Sequence, residues 1–494
     1  MNPLKQFAGQ TAIYGLPTIA GRLLNVLLVP LYTRLFPTSE YGVVSELYAY
    51  VSFLFVLLTY GMETAFFRFA QDKENKGPVY STALISLIST SAVFVLLATI
   101  FSSDIAGTLG YSNHREYIIW FALILGFDAV SSIPFANLRQ ENKAIKFAWI
   151  KSSWIIINIG LNLFFILLCP YILSHSNNPA LTGIISFVYN PATGVGYIFI
   201  SNLIASAVTL LLLGADMLKI QFNFNALLLK KMLKYAWPLL LFSFAGIINE
   251  TFDRIILKHL LPVSSNPMAQ LGIYGACYKI SILMTLFIQT YRYAAEPFFF
   301  NKAGASDARE LYSKMMTYFV IVCALIFVGV MMYIDLVMYF VGKEYRVGAP
   351  VVPILLMANL CLGVFYNLSV WFKLTDRTIY GAFISIFGAA VTLALNFLLI
   401  PVMGIMGAAW ATLICYASMM VVSYLIGQSF YKIKYDLPRI LGYLGLAILS
   451  FKISEWINLE GILKYGINTM LFLAFTAIIA LTMRKKQLSG PDLL

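Results

Sequence analysis

About fourteen apolar segments, each near the roughly 20 residues that a helix needs to cross a bilayer, fill most of this chain. They are expected at 10–33, 43–67, 79–102, 117–138, 152–173, 195–215, 235–257, 270–298, 315–334, 347–372, 378–400, 404–427, 440–454 and 465–483. The 34 lysines and arginines are sorted among the connections with a beat of one loop in two. The even connections and the two ends hold 23 of them, in groups such as Arg139, Lys143, Lys146, Lys151 and Lys219, Lys230, Lys231, Lys234. Odd connections hold only Arg34, Arg115, Lys258, Lys343, Arg346 and Lys464, and Arg22, Arg254, Lys279, Arg292 and Lys452 fall inside spans. Basic loops stay in the cytoplasm, so both termini are expected there. The fold class is therefore an all-α polytopic membrane protein.

Composition excludes the main alternatives. With 60% hydrophobic and 11% charged residues, the chain lacks the roughly 25% charge of a soluble domain. The net charge of +12 sits in short loops, where it orients the spans and meets anionic lipid heads, so no nucleic-acid partner is expected. The first segment carries Pro17 and Arg22 and no small-residue cleavage pattern, so it reads as a retained helix. Cys169, Cys277, Cys323, Cys361 and Cys415 are scattered singly among apolar neighbours and read as small core residues, with no metal set and no disulfide.

An internal repeat organises the spans. Pro17 and Pro238 lie early in the first and seventh spans, and Pro37 and Pro262 close them. One constant shift then places Gly42 on Gly272 and Tyr48 on Tyr278. Leu138-Arg139 and Asn142-Lys143 pair with Phe372-Lys373 and Asp376-Arg377, Leu161-Asn162 with Leu395-Asn396, and Gly194-Val195-Gly196 with the stretch from Gly404 to Gly407. Each half starts on the cytoplasmic side, so the repeats are parallel, about an axis along the membrane normal. The expected division is an N-lobe over 1–217, a C-lobe over 218–430, and two further helices with a cytoplasmic tail over 431–494. The Asn-, Ser- and Pro-rich stretch from Tyr171 to Thr193 reads as an external loop insertion.

Several segments resemble the polysaccharide-exporting branch of the multidrug/oligosaccharidyl-lipid/polysaccharide exporter superfamily. They are Glu40-Tyr41-Gly42, Asp253-Arg254-Ile255-Ile256-Leu257, Leu271-Gly272-Ile273-Tyr274, and Leu395-Asn396 through Ile400-Pro401 to Gly404-Ile405 and Gly407-Ala408-Ala409. The resemblance covers almost the whole chain. It implies two six-helix lobes around a cavity that opens alternately to either side, and transfer of a lipid-linked oligosaccharide, typically on undecaprenyl diphosphate, across the bacterial inner membrane. The implied partners are that substrate, membrane lipids and other polysaccharide-assembly proteins around a monomer. No cofactor is implied beyond a coupling Na+ or H+.

The polar residues inside spans are where such chemistry would sit, because a charge at mid-membrane costs roughly 2.5 to 3.5 kcal/mol on insertion scales. In the first span Thr11, Thr18, Arg22, Asn25 and Tyr32 share one face. In the eighth, Tyr278, Ser281, Thr285, Gln289, Arg292 and Glu296 do the same. A diphosphate suits guanidinium groups, whose planar donors bind oxygens in pairs, so Arg22 leads, followed by Lys279, Arg292 and Arg254. Thr18, Asn25 and Gln289 would line the same site. For Arg22 the competing role is a tertiary pair with Asp128, and for Arg254 an ion pair with Glu250 and Asp253. Asp128, Glu250, Asp253, Glu296 and Glu63 are the candidates for ion coupling, while Glu46 and Glu63 read as close enough to the interfaces to be solvated. Tyr32 and Tyr278 are candidates to pack against sugar faces.

Two other readings compete. A cation-coupled drug antiporter of the same superfamily would favour twelve spans and an acid-rich cavity. A membrane-embedded polysaccharide transferase or polymerase would need an extramembrane catalytic loop or a His- or acid-rich cluster, whereas His114, His175 and His259 stand apart. No nucleophile with a base and no phosphate-cradling glycine loop is visible, so the chain reads as a transporter and not an enzyme.

Overall fold

The structure, a computed structural model, describes residues 21, 23, 26–71, 76–218, 224–302, 306–457 and 461–489. Among the described residues there is no strand, and 13 helices are long and apolar enough to span a membrane. They run Thr38–Phe69, Gly77–Ile100, Arg115–Gln140, Ala144–His175, Gly196–Met217, Ala226–Leu260, Pro267–Arg292, Ala308–Met332, Val351–Leu374, Ile379–Met403, Ile405–Phe430, Leu437–Trp456 and Ile462–Arg484. They coincide one for one with the second to fourteenth expected spans. The first, with Thr18, Arg22 and Asn25, lies largely outside the described residues. Hydrogen bonding explains the agreement: in lipid each helix satisfies its own backbone, so apolar length alone defines a span.

By contact the chain divides into two compact units, one holding Val43–Thr251 and the other Thr33–Gly42 with everything from Phe252 onward. These are contact units, a different division from sequence repeats. The first packs Met62, Phe66, Leu84, Leu87, Ile133 and Met232 into one buried cluster. In the second, Leu257, Leu271, Tyr274, Leu355, Ile400 and Ala408 form a comparable core. All five cysteines are buried, as expected of small core residues.

The stretch read as an external loop is helical. The fifth span runs on to His175 through a five-residue π segment at Phe164–Leu168, and Pro179–Val188 forms a separate helix. The residues that suggested a loop are its start signals. Asn178 accepts hydrogen bonds from the N–H groups of Ala180 and Leu181, and Pro179 sits at the first helical position, where no N–H is needed.

Backbone details repeat within each unit. Asn142 (φ 56°) and Asp376 (φ 54°) both turn left-handed after their helices. In both turns the N–H of the next residue reaches back five positions, Lys143 to Leu138 O at 2.9 Å and Arg377 to Phe372 O at 2.8 Å. Gly194 (φ 50°, ψ −125°) and Gly404 (φ 60°, ψ −134°) share a conformation that an L side chain avoids. Asn162 and Asn396 are both fully buried and donate four residues back, to Asn158 O at 2.7 Å and Thr392 O at 2.8 Å. Four positions matched by sequence thus carry the same local geometry.

Candidate functional site

Within the first unit, the fourth, fifth and sixth spans bring Asp128, Lys151 and Ser206 together. Asp128 is partly buried, accepts a hydrogen bond from Ser206 and feels the charge of Lys151. Trp154, one turn on from Lys151, donates to the same Ser206 hydroxyl at 3.3 Å. The Lys151 ammonium rests 4.3 Å from the centre of the Phe135 ring, a cation–π contact. Sequence reasoning placed Lys151 in a cytoplasmic link; the fifth span starts earlier, at Ala144, and carries it inward. Asp128 thus has a described basic neighbour on the fifth span, while Arg22 lies outside the described residues.

Glu63 is partly exposed, as expected, and pairs with Arg139 across spans; Arg139 also lies 5.0 Å over Phe67. Glu46 differs from expectation, since it is fully buried and accepts a hydrogen bond from the Tyr111 hydroxyl. Burial first, and then the Glu46 charge, push the Tyr111 phenol up from its ordinary value, which keeps it a donor. Tyr32 is buried and donates to Asn162 Oδ1 at 2.8 Å. Glu250 is exposed, on the same helix as buried Asn249 and Thr251.

The second unit builds a different arrangement. Asp253 is 3% exposed and held by the Tyr274 hydroxyl at 2.5 Å and by the Arg254 backbone N–H at 2.8 Å. The Arg254 guanidinium lies 3.9 Å from the centre of the Tyr278 ring, with its Nε 3.8 Å from Asp253. Tyr278 is therefore the seat of a cation. One turn on, Ser281 spends its hydroxyl proton on Tyr278 O and accepts from Asn359 at 3.2 Å. Further along the eighth span, Arg292 lies 4.0 Å over the ring of Tyr366, and Tyr291 donates to Asn367 at 2.7 Å. Lys279 and Gln289 are partly buried on that span, and the side chain of Glu296 lies outside the described set.

Sequence reasoning found the charges and missed their seats: Lys151, Ser206, Trp154 and Tyr366 carried no signal, because each acts across helices. No group of His, Cys, Asp and Glu suited to a metal ion occurs among the described residues. Chemically, the first unit offers a carboxylate beside a hydroxyl and an ammonium, fit for a proton or small cation. The second offers two guanidiniums laid flat on tyrosines, which fixes the plane of their donors.

A family model described as polysaccharide biosynthesis protein matches residues 8–302. Among curated proteins no sequence match is found. In fold the chain is similar to the lipid II flippase MurJ in an inward closed conformation, with 13% identity and a TM-score of 0.68, covering 95% of this chain and 99% of that one. It is similar to an inward-facing multidrug resistance transporter of the MOP superfamily, with 14% identity and a TM-score of 0.65, covering 83% and 94%. A MOP superfamily transporter from Pyrococcus furiosus, described as having a binding pocket of reversed polarity, matches with 15% identity and a TM-score of 0.52, covering 85% and 95%. At these identities the likeness is one of fold.

Proposed function

The chain belongs to the polysaccharide biosynthesis protein family, and from that membership we propose that it is an alternating-access flippase of the bacterial inner membrane. Its substrate on this reading is a lipid-linked oligosaccharide or polysaccharide repeat unit, carried on undecaprenyl diphosphate. The observation that carries the reading is the family match, joined to a multi-span transporter fold shared with a lipid II flippase. Both termini face the cytoplasm, and the six-plus-six-plus-two division into lobes stands as the functional plan.

Arg254 and Arg292 bind the phosphates, because a stacked guanidinium presents its paired donors in a fixed plane. Lys279 adds charge on the same span. Asp128 is the coupling acid: loading it with H+ or Na+ changes its pull on Lys151 and so biases one conformation. No chemical bond is made or broken, so the chain is a transporter without a cofactor.

The test is reconstitution into vesicles with a fluorescent undecaprenyl-diphosphate oligosaccharide, read as loss of protection from an external quencher. Flipping that needs the protein and a pH or Na+ gradient supports the reading. Cells depleted of the protein should accumulate the lipid-linked intermediate on the cytoplasmic face. A chain that moves cationic dyes and leaves the lipid-linked sugar untouched would instead place it with the multidrug transporters whose fold it shares.

A further inference from the structure

Gly42 and Gly272, matched in sequence as corresponding residues of the two repeats, touch each other. Both belong to the second contact unit. A methyl added at Gly42 would overlap the carbonyl oxygen of Met268 and come within 2.9 Å of its carbon. A methyl added at Gly272 would overlap the carbonyl oxygen of Thr38 and approach Gly42 N at 2.9 Å. Thr38 stands to Gly42 as Met268 stands to Gly272, one turn earlier on its own helix. The contact is thus reciprocal, as across a twofold axis, and backbone meets backbone with no space for a side chain.

The segment that leads into this crossing is latched. Gly342 N–H donates to Thr33 Oγ1 at 2.9 Å, and the Tyr345 hydroxyl donates to Phe36 O at 2.8 Å. Arg34 donates to Tyr339 O at 2.8 Å, and the buried rings of Tyr41 and Tyr345 meet edge to face at 5.8 Å. These contacts join the connection between the first and second spans, and the start of the second, to the connection between the ninth and tenth. The distribution of basic residues assigns that side to the exterior.

We propose that the Gly42–Gly272 crossing is the external gate: its glycines are there so that the outer ends of the second and eighth spans can close on each other, and opening outward means parting them. The inference rests on the alternating-access reading but not on its substrate. Closure, and not opening, needs the missing side chains. Any Cβ at either position therefore penalises one state of a two-state equilibrium and shifts the population to the other.

The experiment places a single cysteine at Leu283→Cys in the full chain with its five native cysteines replaced by alanine. Leu283 is half exposed and lies about three turns inward of Gly272 on the same helix face. Labelling by a membrane-impermeant maleimide is measured from each side of the membrane. Gly42→Ala and Gly272→Ala should each raise the external rate by about tenfold, a modest population shift. Tyr345→Phe, which removes one latch and keeps the shape, should raise it in the same direction by less. Gly214→Ala, where a methyl meets open space, should leave it unchanged. External rates equal to the parent's in inserted, monodisperse glycine and Tyr345→Phe proteins overturn the gate alone. A reporter that reacts from neither side in any variant, yet reacts when the protein is denatured, overturns alternating access and the gate with it.

Discussion

The two contact units handle their membrane charges in opposite ways. In the first, the acid is the partly buried group, with a hydroxyl on one side and an ammonium within electrostatic reach at Lys151. In the second, the acid is sealed: Asp253 is tied to Tyr274 and to the backbone, and the guanidiniums ride on aromatic rings. An acid that can change its occupancy suits a coupling ion. One that cannot serves to position a cation, so the contrast bears directly on the proposed division between a sensing site and an anion-binding site.

The largest expected effect sharpens that contrast through stability. Asp253→Asn leaves the Tyr274 hydroxyl and Arg254 without their buried anion, and breaking such a group typically costs about 3–5 kcal/mol. Asp128→Asn keeps the Ser206 hydrogen bond and should cost about 1 kcal/mol or less. Thermal unfolding of the two variants in detergent should therefore differ widely. Equal melting temperatures would erase the distinction between the two acids.

Next comes ion dependence. Asp128→Asn should flatten the response of flipping to pH and Na+ in vesicles, while Arg292→Lys should leave that response intact. A pH profile unchanged by Asp128→Asn would move coupling to another acid, with exposed Glu250 the first to examine.

Smaller again is the effect on substrate capture. Tyr366→Phe preserves the face on which Arg292 lies and should bind like the parent. Tyr366→Leu removes it and should raise the half-saturating substrate concentration about two- to thirtyfold, the value of one cation–π contact. Identical behaviour of the Phe and Leu variants would show that the ring is packing only.

What the sequence revealed and what it hid divide along the same physical line. Thirteen spans were legible because a helix in lipid needs only its own length of apolar residues. The repeat was legible where backbone chemistry is local, as at Gly194 and Gly404, whose shared conformation demands glycine. Asn178 and Pro179 were visible but ambiguous, since a cap and a loop use the same residues. Partners across helices were not legible. Lys151 beside Asp128, Arg139 against Glu63 and Tyr366 under Arg292 each join different spans. Sequence also matched Gly42 with Gly272; that the two glycines touch was not legible, because the contact joins helices distant in the chain.

The finest effect compares Asn162 with Asn396, the same position in the two repeats. Each is fully buried and donates one turn back, but Asn162 Oδ1 also accepts from Tyr32 and its Nδ2 lies 3.1 Å from Asn158 Oδ1, whereas Asn396 Oδ1 has no hydrogen-bond partner among the described residues. Asn162→Ala should therefore destabilise more than Asn396→Ala, by at least about the 0.6 kcal/mol that a side-chain hydrogen bond averages between membrane helices. Tyr32→Phe supplies the check. It should lower the melting temperature of the parent by no more than the difference between the two alanine variants, and should add little on top of Asn162→Ala, because the bond it removes is already gone. Full additivity of Tyr32→Phe with Asn162→Ala would mean that the hydroxyl stabilises the chain through some other contact, and the Tyr32–Asn162 bond would then not distinguish the two asparagines.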